Sequence, residues 1–160
     1  MTLVRDLSGV YGTFEPGAVT VHRRKKLPHW DAAHGTQFVT FCVGARRQLT
    51  HADADIVAEV LRHDDERDYL LLVWCVMPDH VHVIFRPTAS IATIIKTWKS
   101  VTARAIAGGR LWQKDYFDRL IRNARELAQT IEYVLNNPDA SQLGGWDHKE
   151  MYPDRIRDCV

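Results

Sequence analysis

His80 and His82 alternate with apolar residues in the run Trp74-Cys75-Val76-Met77-Pro78-Asp79-His80-Val81-His82-Val83-Ile84-Phe85, directly after a Pro-Asp turn. Successive side chains of a strand point to opposite faces. The two histidines therefore share one face, while Val81, Val83 and Phe85 turn to the other and can fill a core. Two imidazoles side by side on a rigid strand make half of a metal site. The competing reading is a pair of histidines on a solvent-facing strand, and what else the chain brings near them decides between the two.

A second group lies downstream, in Asn123-Ala124-Arg125-Glu126-Leu127-Ala128-Gln129-Thr130-Ile131-Glu132-Tyr133-Val134-Leu135-Asn136-Asn137-Pro138. Asn123 followed three residues later by Glu126 reads as a capping-box variant and Pro138 marks the end, which predicts a helix from about Ala124 to Asn136. Leu127, Ile131, Val134 and Leu135 fall at i, i+4, i+7 and i+8 and define a buried stripe. Tyr133 lies off that stripe, near Glu126, Thr130 and Asn137, whereas a tyrosine kept for packing belongs on it. Tyr133 and Asn137 are four apart, so a phenol and an amide project from one face, the amide one turn beyond. As the residue before a proline, Asn137 is biased away from helical geometry.

His80 and His82 as nitrogen ligands, with the Asn137 oxygen as a third and open positions for substrate oxygens, suit Mg²⁺ or Mn²⁺. Beside such a cation Tyr133 is a candidate nucleophile, attacking as phenolate. Tyr116 is the rival. It follows Trp112-Gln113 in a stretch that reads as strand, where tyrosine is commonly a packing residue.

The elements that must position these groups are readable in order. Residues 1–35 are irregular and form an N-terminal arm carrying the basic run His22-Arg23-Arg24-Lys25-Lys26. Gln37 to Val43 reads as a strand. Asp53 or Asp55 can cap a helix to about His63 that buries Ile56, Val57, Val60 and Leu61. Tyr69 to Met77 and His80 to Arg86 are two strands joined through Pro78-Asp79. Ser90 caps an amphipathic helix carrying Ile91, Ile94, Ile95, Trp98, Val101, Ala105 and Ile106, ended by Gly108-Gly109. Tyr116 to Ile121 is a fourth strand, and the Tyr133 helix follows. The fold class is α+β: the order β-α-β-β-α-β with an added helix is the ferredoxin-like arrangement, an antiparallel sheet with helices on one face. Residues 36–138 form the catalytic unit, and residues 139–160 read as an irregular tail.

The same stretches, taken in order, resemble a known family. His29-Trp30 with Phe38-Val39-Thr40-Phe41, Val76-Met77-Pro78-Asp79-His80-Val81-His82, Trp98-Lys99-Ser100, Leu111-Trp112-Gln113 with Tyr116-Phe117, Ile121-Arg122-Asn123, and Glu132-Tyr133-Val134 ending in Asn137-Pro138 are similar to single-tyrosine HUH transposases. The likeness is strongest to their REP-associated (RAYT) branch. It covers residues from about 28 to 138 and departs after Pro138, where Asp139-Ala140-Ser141-Gln142-Leu143-Gly144-Gly145-Trp146 replaces a short basic, glycine-containing turn. The resemblance implies an HUH endonuclease fold, with Tyr133 cutting single-stranded DNA beside a hairpin to leave a 5′-phosphotyrosine and a free 3′-OH. It also implies resolution by a 3′-OH without ATP, in a monomer or a homodimer.

Composition sets the outer bounds. A chain of 160 residues, 46% hydrophobic and 26% charged, suits one soluble globular domain. A net charge of +1 gives little general attraction for duplex DNA, so phosphate contacts must be local. Candidates are Arg23, Arg24, Lys25 and Lys26 and the helix residues Lys96, Lys99 and Arg104, with Trp112 and Tyr116, and also Trp98, as surfaces for stacking bases. His29 and His34 precede the first strand and could approach the site. Cys42, Cys75 and Cys159 show neither zinc spacing nor a Cys-x-x-Cys pair and read as buried or isolated thiols of a reducing cytoplasm. No apolar leader and no run long enough to span a bilayer are present, so a soluble, cytoplasmic protein is expected.

Other functions are less well served. A histidine-triad hydrolase needs a third histidine where Ile84 stands, and a metallo-β-lactamase-like site needs a following Asp-His. A non-catalytic nucleic-acid-binding module on a ferredoxin-like sheet is the alternative, but it leaves the combination of His80, His82, Tyr133 and Asn137 without a purpose.

Overall fold

The backbone hydrogen bonds of five strands set the frame of the molecule. In a computed structural model that describes residues 35–44 and 47–157, these are β1 (Gln37–Cys42), β2 (Tyr69–Val76), β3 (His80–Pro87), β4 (Phe117–Leu120) and β5 (Lys149–Met151). They pair in the order β4-β1-β3-β2-β5, every neighbour antiparallel. The helices are α1 (His51–His63), α2 (Ile91–Ala107), α3 (Ala124–Ala140) and the short α4 (Pro153–Arg157). The first four strands and first two helices give the expected ferredoxin-like order. The arm up to His34, with Arg23, Arg24, Lys25, Lys26, His29 and His34, lies outside the described residues, as does Cys159.

One expectation about the layers is corrected. The sheet carries helices on both faces. Val39, Phe41, Trp74, Val81, Val83 and Phe85 form one core with α1 and α2, whereas Phe38, Leu72, Val73, Cys75, Met77 and Ile84 form a second with Leu127 and Val134 of α3. The reason is visible in β2, whose sequence Tyr-Leu-Leu-Leu-Val-Trp-Cys-Val is apolar at every position. Strands buried on both faces read as continuous hydrophobic runs, while one-sided strands alternate. A register shift between Leu71 and Val73 places Leu72 and Val73 on the same side and restores the phase, so that Cys75 faces α3.

The helix ends also differ in detail. Thr50, not Asp53 or Asp55, caps α1. Its hydroxyl accepts from the Asp53 N–H, and the Asp53 carboxylate accepts from the Thr50 N–H. Ala54, Val57, Ala58 and Leu61 are the buried residues of this helix. Ser90 precedes α2 without a side-chain capping bond, and Gly108 ends the helix at φ 65, the left-handed conformation that glycine takes without strain. Val101 is 42% exposed and Thr102 takes its place in the core. Trp98 is a core residue, with its indole N–H donated to the Tyr69 hydroxyl at 2.9 Å.

Among the described residues, the stretch after 140 is not an irregular tail but carries β5 and α4. Lys149–Met151 adds a strand to the free edge of β2, and the Trp146 indole N–H donates to the Val76 carbonyl at 2.6 Å. Arg155 of α4 then grips Asp65 with Nη1, 3.0 and 2.8 Å from its two carboxylate oxygens, and also reaches the Leu71 carbonyl at 3.0 Å. Asp65 is 11% exposed and Arg155 20%, so the bonds are partly sheltered from water. Removing the guanidinium strands a charged acceptor. An Arg155→Ala variant should therefore lose about 2 kcal/mol of stability. Thermal unfolding checks this, and an unchanged midpoint would show that the edge closure carries no weight.

Candidate active site

His82 lies at the centre of the sheet, because β3 pairs on both sides. It is opposite Thr40 of β1 and Cys75 of β2, and His80 is opposite Cys42. As the alternation requires, both imidazoles leave the face opposite Val81, Val83 and Phe85. That face is not solvent: His80 is 3% exposed and His82 fully buried, under α3. Burial, with the neighbouring His80 second, pushes His82 well below the ordinary imidazole range and keeps it neutral, the form that ligates a cation.

Each ring is held from behind. His80 Nδ1 lies 2.6 Å from the Asp79 carboxylate, and His82 Nδ1 lies 2.7 Å from the Thr40 hydroxyl. The two Nε2 atoms face one another 3.0 Å apart. Neither Thr40 nor Asp79 stood out in the sequence as a site residue. Asp79 adjoins the histidines, but Thr40 becomes visible only when β1 is placed in register.

α3 supplies the other half. Its Asn123 side chain accepts from the Glu126 N–H at 2.9 Å, and the Glu126 carboxylate accepts from the Arg122 N–H at 2.8 Å, which starts the helix as the capping pair predicts. The helix does not stop before Pro138. It continues to Ala140, and the Ser141 N–H donates to the Asn137 carbonyl. Pro138 lacks an N–H, so the Val134 carbonyl loses its helical donor, and Pro138 itself is buried. Asn137 is consequently helical and its amide sits one turn beyond Tyr133.

The helix is also rotated from the expected stripe. Leu127 and Val134 are buried, but so are Glu126 and Thr130, while Ile131 and Leu135 are only half-buried. Thr130 satisfies its hydroxyl on the Glu126 carbonyl at 2.7 Å, and Glu126 pairs with Arg119 at 2.8 Å, so these polar groups can face inward. The rotation turns Tyr133 and Asn137 toward the histidines. The Tyr133 ring centroid is 5.3 Å from that of His82 and 6.3 Å from that of Phe38. Burial pushes the Tyr133 phenol well above its ordinary value, opposed by a hydrogen bond from Asn137.

These residues fit a divalent cation. The Asn137 amide is 3.3 Å from His82 Nε2 through Nδ2, and its Oδ1 is buried with no hydrogen-bond partner among the described residues. An unsatisfied buried oxygen is costly, and an amide can present either end, so Oδ1 is a ready third donor beside the two Nε2 atoms.

The remaining candidates lie elsewhere. Tyr116 and Trp112 pack against the α1/α2 core, on the face of the sheet opposite the histidines. With Lys96, Lys99, Arg110 and Lys114 they line a cleft of about 320 Å³. Lys96 and Arg104 are exposed on α2. Lys99 is tied down, donating to the carbonyls of Gln113 at 2.6 Å and Lys114 at 2.9 Å. The cleft nevertheless adjoins the His80 end of the sheet, since Cys42 pairs with His80 and its carbonyl accepts from the Gln113 N–H at 2.9 Å. Cys42 and Cys75 are buried thiols, and burial pushes them up to about 11 and about 12.

Comparison with known proteins gives a consistent result. The family described as Transposase IS200 like matches residues 35–137. A REP-associated tyrosine transposase of Escherichia coli is 22% identical over 132 residues, spanning 77% of this chain and 80% of that protein. An uncharacterised protein of Haemophilus influenzae is 22% identical over 178 residues, spanning 83% of this chain and 94% of its own. A solved structure of a REP-associated tyrosine transposase bound to a REP hairpin superposes with a TM-score of 0.61 at 22% identity, covering 71% of this chain and 70% of the other. No described helix is long and apolar enough to cross a membrane.

Proposed function

Because the chain belongs to the IS200-like transposase family, we propose that it is a metal-dependent single-stranded DNA endonuclease and strand transferase that works through a 5′-phosphotyrosine at hairpin-flanked sites. The observation that supports this best is the convergence of Tyr133 and the orphaned Asn137 oxygen on the His80–His82 pair. The similarity to a relative bound to a REP hairpin supports the choice of substrate.

A bound Mg²⁺ or Mn²⁺ would neutralise charge developing on the scissile phosphate. His80 and His82 would hold it with Nε2, and Asn137 with Oδ1. Tyr133 is kept as a neutral phenol at rest by its burial, and the Asn137 amide donates to its oxygen as it ionises. In cleavage the Tyr133 Oη forms a bond to phosphorus and gives up its proton. The bond from phosphorus to the 3′ oxygen breaks, and that oxygen takes a proton to become the 3′-OH. Attack on the phosphotyrosine by an incoming 3′-OH reverses these steps, restores the phenol and rejoins a strand with no external energy source.

A tyrosine carried on a helix must reach one phosphate held against a strand, which a flexible single strand permits more readily than a stiff duplex. The cations and aromatics of the cleft are few and local, which suits unpaired bases rather than long duplex contacts. A hairpin with a single-stranded flank should therefore be cleaved and should outcompete a blunt duplex of equal length. Displacement of the hairpin by blunt duplex at equal concentration, with no cleavage, would replace this reading by a duplex-binding module.

A further inference from the structure

We propose that Lys149 of β5 is a positioning residue for the nucleophile: it pins α3 from the flank turned away from the histidines and so keeps Tyr133 and Asn137 aimed at them. The inference rests on the cleavage reaction proposed above. Lys149 lies beyond residues 35–137, the stretch that the family matches, so its role is argued from this chain alone.

The placement follows from register. Thr40, His82, Cys75 and Lys149 are successive cross-strand partners on β1, β3, β2 and β5. Directly paired residues of antiparallel strands share a face, so all four stand on the α3 side of the sheet. Cys75 packs in the core beneath the helix. On one flank of α3, Tyr133 meets His82 with ring centroids 5.3 Å apart. On the other, Lys149 Nζ donates to the Leu135 carbonyl at 2.9 Å. Leu135 is two residues from both Tyr133 and Asn137, about 200° round the helix from each, so the lysine stands behind the pair.

The bond falls in a turn that is short of one backbone hydrogen bond. Pro138 has no N–H, so the Val134 carbonyl lacks its helical donor in the stretch that carries Tyr133 and Asn137. The apolar contacts of Val134 beneath this turn are non-directional and resist rolling about the helix axis poorly. A hydrogen bond from an ammonium is directional and charge-assisted. A roll of about 10° moves the phenol oxygen by on the order of 1 Å. A misplacement of that size costs a reaction on the order of 10²-fold. The neighbouring Glu150 pairs with Trp74 on the opposite face of the sheet and is held there by Arg62 of α1 at 2.9 Å. The two faces of β5 thus separate the docking of the strand from the steadying of α3.

The experiment uses the full chain, a hairpin oligonucleotide with a single-stranded flank, and Mg²⁺. Lys149→Met keeps the length of the side chain and removes its donors. It should lower kcat on the order of 10²-fold while KM and hairpin affinity, read by fluorescence anisotropy, stay unchanged. Lys149→Arg, which restores a donor, should recover most of the rate. Arg62→Met should lower the thermal midpoint and cleave as the wild type does. Should Lys149→Met not fold by circular dichroism, Lys149→Gln is read in its place. The proposal is overturned if the Lys149 variant cleaves at the wild-type rate, or if Arg62→Met loses as much, which would make β5 a structural strand only. Loss of hairpin affinity in step with rate would also overturn it, making Lys149 a DNA contact. A wild type that cleaves nothing removes the proposed reaction as well, whereas wild-type cleavage with an indifferent Lys149 variant removes this inference alone.

Discussion

A Tyr133→Phe variant is expected to form no denaturant-resistant adduct with a cleavable oligonucleotide, while Tyr116→Phe forms it as the wild type does. Removing a nucleophile costs a reaction on the order of 10⁴- to 10⁶-fold, because the remaining binding groups supply only a residue of the rate. The change takes away one hydroxyl and keeps the ring that packs at 6.3 Å against Phe38, so the loss of stability should be about 1 kcal/mol or less. Folding and DNA binding should survive, which separates chemistry from structure. The two tyrosines are a clean contrast because the sheet lies between them: Tyr116 packs with the α1/α2 core and Tyr133 with the α3 core. Peptide mapping of an adduct to Tyr116 would move the reaction to the opposite face of the sheet, away from both histidines, and would overturn the site.

Much of this arrangement was legible in the sequence because it rests on local rules. The alternation of His80 and His82 with Val81 and Val83, the capping pair Asn123 and Glu126, and the element order each need only a few neighbouring residues. What lay on the hidden side of the sheet was harder to read. His-x-His alternation looks the same whether the face meets water or a helix, and the unbroken apolar run of β2 was the signal that both faces are covered. Helical periodicity placed Ile131 and Leu135 inward, yet Glu126 and Thr130 take the inner position because each finds a partner there. Pro138 suggested a helix end, but a proline removes one donor and a packed helix tolerates that loss. β5 is three residues long and pairs through backbone groups, which leave no periodic trace in residue type. Thr40 is 42 positions from His82, and only the register of β1 against β3 joins them.

Replacing the two histidines should have an effect as large as replacing the tyrosine, but the burial of the site changes how the experiment must be done. Strand cleavage is expected to require Mg²⁺ or Mn²⁺, to vanish with chelator, and to be lost in His80→Ala and in His82→Ala. On a solvent-facing strand such changes would leave the fold untouched. Here His82 is fully buried and His80 is 3% exposed, so alanine also opens a cavity costing about 2 kcal/mol or more. A His82→Gln variant fills most of that space and can still hydrogen-bond, yet it lacks the imidazole nitrogen. If ligation is the role of His82, the Gln variant should remain folded by circular dichroism and still lose metal-dependent cleavage. Asn137→Ala should cost less, since an amide oxygen is a weak ligand that water can replace, and it also removes the orphaned Oδ1 whose burial is itself unfavourable. Its cleavage should fall while its stability holds or rises. Full cleavage by the His80→Ala, His82→Ala double variant, or cleavage indifferent to chelator, would leave Tyr133 beside two purely structural histidines and remove the cation from the mechanism.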